Sequence, residues 1–103
     1  MNVVKAVPRQ AVLLADVGAQ LMQTGSVDAA VRVLWETLAL CDAAHRWDTQ
    51  LGDGSVGPPL HEAQEKALAG AAALVDLLKQ AGDPSADILA ADLRTARARL
   101  ASS

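Results

Sequence analysis

The chain contains no phenylalanine and no tyrosine, and its only aromatic residues are Trp35 and Trp47. A core for these 103 residues must therefore come from aliphatic side chains. A single cysteine, Cys41, cannot form an internal disulfide, so the fold requires no oxidising compartment. Positive charge is also scarce: nine Lys and Arg face twelve Asp and Glu, for a formal charge of −3. That balance argues against a general nucleic-acid partner, which needs a basic face. No apolar run reaches the roughly 20 residues that span a bilayer, so no membrane partner is expected. The opening "MNVVKAVPRQAVLLADVG" carries Lys5, Arg9 and an apolar stretch, but Asp16 interrupts it and no clear small-residue cleavage site follows. It reads as mature structure, with the cytoplasm as the expected location.

What remains is rich in helix formers. Half the residues are apolar, and alanine supplies about a fifth of the chain, with Leu and Val at most other apolar positions. Such a composition packs helices closely and predicts an all-α fold. The length suits a single helical domain over 1–103.

Punctuation marks four helices. Pro8 suits a first helical turn, and Leu13, Leu14, Val17 and Leu21 then recur at helical spacing up to Thr24. Gly25 fits the left-handed position that ends a helix. In "GSVDAAVRVLWETLAL" Ser26 is an N-cap, its oxygen free to accept an N–H of the first turn, and Asp28 adds charge of the favoured sign. Val27, Ala30, Val31, Leu34, Leu38, Cys41 and His45 trace one face of a second helix that can run on to Leu51. "GDGSVGPP" breaks the pattern and predicts a flexible loop over 52–58. Pro59 starts a third helix whose inner positions are Leu60, Ala63, Ala67, Leu68, Ala71, Leu74, Val75 and Leu78, ending at Gly82. Asp83 caps and Pro84 opens a fourth, with Ile88, Leu89, Leu93, Ala96 and Leu100 inward and Arg94, Arg97 and Arg99 near its end. Val3–Val7 is either a short extended segment or an extra turn of the first helix.

The first hairpin, residues 11–44, resembles a single tetratricopeptide repeat, a unit of two antiparallel helices in about 34 residues. Leu14 stands at the usual large first-helix position, Val17-Gly18 at the Leu-Gly pair, and Leu21 where a Tyr is common. Gly25 takes the turn, Ala30 the buried small position, Leu34 a bulky aromatic position, and Leu38 and Leu40 the end of the second helix. Thr37 replaces an Ala, and Asp42 replaces the closing Pro. The resemblance implies a partner groove lined by the first helix, on which Val12, Ala15, Ala19, Met22 and Gln23 would lie. These residues carry no Lys/Arg clamp for a carboxylate terminus, so the implied ligand is an apolar helix or extended segment. One repeat cannot bury its own apolar face. The third and fourth helices, or a second chain, must cover the hairpin, and the expected architecture is a compact bundle or tetratricopeptide-like pair of hairpins.

Catalytic signatures are weak. Cys41, His45 and Asp48 share a helix face, and the spacing of Cys and His could hold two positions of a metal site, but a core Cys beside a half-buried His accounts for the same pattern. "LGDGSV" is similar to the serine loop of phosphopantetheine carriers, yet Gly54 precedes Ser55 and Gly57-Pro58-Pro59 follow. His45 within a four-helix frame suggests histidine phosphotransfer, although the Lys-Gly pair that usually follows is replaced by Arg46-Trp47. His61 with Glu65 and Glu62 with Lys66 form solvated i,i+4 pairs. The sequence therefore points to a noncatalytic, bacterial-type adaptor or chaperone that binds a protein or peptide, with no cofactor. The alternatives are an accessory subunit or secretion chaperone acting as a homodimer, and a small helical enzyme or phosphotransfer protein.

Overall fold

In a computed structural model, which describes residues 3–51 and 57–102, four helices make up nearly all of the protein. They are α1 (Val3–Thr24), α2 (Val27–Leu51), α3 (Gly57–Gln80) and α4 (Ser85–Ser102). No strand occurs among the described residues, and the fold is all-α. The Val3–Val7 segment is the first turn of α1, so Pro8 lies inside the helix rather than at its start. The missing Pro8 N–H removes one bond close to the helix end, and complete burial of Val7 helps offset that loss. Of the predicted loop, residues 52–56 lie outside the described residues, while Gly57 and Pro58 already belong to α3. Pro58 and Pro59 both fall in its first turn, where their absent N–H groups cost little.

Both helix-ending glycines adopt the left-handed conformation, with φ of 70° at Gly25 and 75° at Gly82. The Gly25 N–H donates to Leu21 O at 2.9 Å, a single-bond left-handed cap. At the end of α3 the Asp83 N–H donates to Leu78 O at 3.1 Å and the Gly82 N–H to Lys79 O at 3.1 Å, the two bonds of a Schellman motif. Asp83 then caps α4: its Oδ1 accepts the Ser85 N–H at 2.8 Å, and its carbonyl accepts the Ala86 N–H at 3.1 Å. Ser26 behaves differently. Its carbonyl accepts the Ala30 N–H at 3.1 Å, as an N-cap residue should, but its hydroxyl pairs with Thr24 Oγ1 at 2.6 Å.

The helices form two hairpins lying side by side. Helix α1 packs on α2 and α3, α4 packs on α3 and α2, α2 also touches α3, and α1 and α4 do not meet. The space beside Gly70 is filled by Leu14, and that beside Gly18 by Leu77, so positions in α1 and α3 rise together and the two helices run parallel. Because each turn reverses the chain, α2 and α4 are parallel as well. The particle is elongated along the helices, 43 × 22 × 18 Å.

One core runs between the hairpins, and it differs in places from the predicted faces. Leu14, Val17 and Leu21 are buried, but Leu13 is 41% exposed because it lies off the arc of α1 that meets α2 and α3. Ile88 is 60% exposed, whereas Ala86, Leu89 and Leu93 face inward. Helix α4 meets only two neighbours and buries a narrow stripe. Helix α2 meets three, so its buried arc widens to include Val33, Thr37 and Ala44 beside Ala30, Leu34, Leu38 and Cys41. Thr37 is admitted because its hydroxyl donates to Val33 O at 2.8 Å, leaving no unsatisfied polar group. Buried Gln64 donates to Cys41 O at 3.1 Å, and half-buried Gln10 donates to Val33 O at 3.4 Å, so both amides tie neighbouring helices to α2.

At Gly18 a built Cβ would meet Leu77 Cδ1 at 3.8 Å, an ordinary contact. The α1–α3 approach therefore does not demand glycine there. Gly18→Ala should raise stability by about 0.5–1 kcal/mol through helix propensity, as read by urea unfolding; a loss of that size would show a tighter crossing.

Candidate functional site

Two surfaces carry features beyond an ordinary wet face. The first is the outer side of α1. Val12, Ala15, Ala19, Met22 and Gln23 are all exposed, with Val12 at 63% and Met22 at 76%. Neither α3 nor α4 covers them. Pro8, Val12, Ala15, Ala19 and Met22 follow one another at steps of three and four, so they form a continuous stripe along the helix. Gly18 faces α3 and Gln10 reaches α2. Helical geometry places the stripe on the α3 flank of α1, while Lys5, Arg9, Asp16 and Gln20 occupy the remaining solvent side.

The second is a cleft between α2, α3 and α4, about 280 Å³ in volume. Leu38, Cys41, Leu68, Ala96 and Leu100 give it an apolar floor, and Trp35, Asp42, His45, Asp92 and Arg99 stand around it. Asp42 pairs with Arg46 at 2.9 Å within α2 and with Arg99 across to α4. Asp42 thus joins α2 to α4. A smaller hollow of about 220 Å³ shares Leu68 and Leu100 with the cleft and continues past His61, Glu65 and Arg97.

Cys41, His45 and Asp48 share one face of α2, as their spacing predicts, but only Cys41 and His45 border the cleft. Among the described residues no three His, Cys, Asp or Glu side chains come close enough to hold a metal ion. Burial raises the Cys41 pKa from 9.0 to about 11, so the group is a protonated thiol near neutrality. It should therefore react with a disulfide reagent at pH 8 far more slowly in the folded protein than in denaturant; equal rates would contradict its burial. His61 pairs with Glu65 at 3.1 Å and Lys66 with Glu62 at 3.6 Å, both in water as expected from their spacing.

Sequence reading missed Gln64, Asp92 and Trp35 as cleft residues. Gln64 breaks the apolar rule for an inward position, and Asp92 and Trp35 become neighbours of the same cavity only once α4 lies beside α2. No helix among the described residues is long and apolar enough to cross a membrane. Comparison with protein-family models, with curated proteins and with solved structures gave no match.

Proposed function

We propose that the protein is a noncatalytic interaction module that docks one amphipathic helix of a partner protein on the outer face of α1. The observation carrying this reading is the uncovered stripe with Val12 at 63% and Met22 at 76% exposure. Its three- and four-residue steps match the period of a helical ligand, and its alanines allow a second helix to approach closely. Met22 supplies an adaptable apolar contact. No Lys or Arg stands within the stripe to favour an acidic tail. The parallel arrangement of α1 with α3 and α2 with α4 supports the repeat-like reading, because stacked hairpins of such repeats place their first helices side by side. The first hairpin is nevertheless long for a unit of about 34 residues, since α2 alone spans Val27–Leu51.

Affinity capture from the source cell tests this reading. Val12→Glu should retain the fold and lose the partner, whereas Arg94→Glu on exposed α4 should retain both. Capture unchanged by Val12→Glu would overturn the assignment of the face. A protein that self-associates through α1, losing its dimer with Val12→Glu, would replace the partner helix by a second copy.

A further inference from the structure

The α2/α3/α4 cleft has an electrostatic asymmetry that its ion pairs leave uncompensated. Asp42 is matched twice, by Arg46 and Arg99. Asp92, half-buried on α4, also borders the cleft but makes no ion pair or hydrogen bond with any described residue. The Asp42–Arg99 pair brings these two positions of the parallel helices α2 and α4 alongside each other. Trp35 precedes Asp42 by two helical turns, as Asp92 precedes Arg99. The indole and the free carboxylate therefore stand at one level on opposite walls, above the floor made by Leu38, Leu68 and Ala96. Trp35 is 47% exposed, an unusual position for a large ring in a chain with only one other aromatic.

An aromatic face, an unmatched carboxylate and an apolar floor are together complementary to one ligand class. We propose that this cleft binds a small organic cation, an amine on a short apolar body, with the ammonium held between Asp92 and Trp35 and the body lying on the leucine floor. The carboxylate supplies charge, the indole supplies a cation–π contact, and the floor removes the apolar body from water. At about 280 Å³ the cleft has room for a small amine with a short apolar chain. A fatty carboxylate of the same size would meet Asp92 with like charge beside Trp35, and the Asp42–Arg46–Arg99 cluster, with its one excess positive charge, lies two helical turns further along the cleft. This site is separate from the α1 face and does not depend on it.

Titration of the whole chain with hexylammonium, hexanol and hexanoate, followed by calorimetry and by the Trp35 fluorescence, tests the proposal. Trp47→Phe removes the second indole signal. Hexylammonium should bind at least tenfold more tightly than hexanol, and hexanoate more weakly still. Asp92→Asn should weaken hexylammonium at least tenfold without changing hexanol, Trp35→Leu should weaken it several-fold, and Asp48→Asn, away from the cleft, should leave it unchanged. Circular dichroism of each variant verifies that the helices persist. Equal binding of the amine and the alcohol, insensitivity to Asp92→Asn, or no binding of hexylammonium up to millimolar concentration would overturn the proposal. If an Ala-Lys-Ala peptide with blocked ends bound as tightly as hexylammonium, the cleft would be a receptor for a protein side chain, and the small-molecule assignment would fail.

Discussion

Leu14→Ala should lower the unfolding free energy by about 2–5 kcal/mol, while Leu13→Ala next to it should cost less than about 1 kcal/mol. Leu14 is 2% exposed and fills the space beside Gly70 of α3, with Cδ1 3.5 Å and Cβ 3.6 Å from a Cβ built there. Truncation removes three carbons at the junction of the two hairpins. The neighbouring glycine has no side chain with which to fill the void. Leu13 is 41% exposed and loses little buried surface. The loss at Leu14 is large against a total stability of about 5–15 kcal/mol for a domain of ordinary stability. Urea unfolding monitored by circular dichroism reads both variants. Similar midpoints would mean that α1 does not present the face described.

Ala30→Leu should cost about 1–3 kcal/mol by overpacking. Ala30 is fully buried in the first turn of α2, so the added carbons of a leucine would have to push into packed neighbours. Ala43→Leu, at a half-buried position on the same helix, should cost much less, because part of the larger side chain can lie in water. The comparison holds helix propensity constant, since both changes replace Ala by Leu. Equal melting temperatures would remove Ala30 from the close contact assigned to it.

Local chemistry was the most legible part of the fold. Gly25, Gly82 and Asp83 each act through their own backbone or short side chain, and each sits where its residue type predicts. The long reach of α2 to Leu51 was also readable, because the apolar period continues without a breaker. The inner faces were read less well wherever burial depends on how many neighbours a helix has. Val33, Thr37 and Ala44 are buried because α2 is surrounded by three helices, and a search for one stripe cannot anticipate that. Leu13 and Ile88 show the converse, being apolar residues on the period that tertiary packing leaves in water. Of the candidate surfaces, the α1 stripe lies on a single helix, and it was the resemblance to a tetratricopeptide repeat that singled out its residues. The cleft combines Trp35 of α2, Gln64 of α3 and Asp92 of α4, positions far apart in the chain that only the side-by-side hairpins bring to one cavity.

The α1 face proposed for docking must be open to solvent and must bind the partner. Met22→Glu probes both properties at once, with melting temperature and partner capture measured on the same preparation. Met22 is 76% exposed, so a carboxylate there stays hydrated and the melting temperature should move by no more than about 4 °C. Capture of the partner should be lost, because the same carboxylate would be stripped of water against an apolar helix. A strong fall in melting temperature would show that the stripe is core, and unchanged capture would show that it is not the docking face; either result contradicts the account.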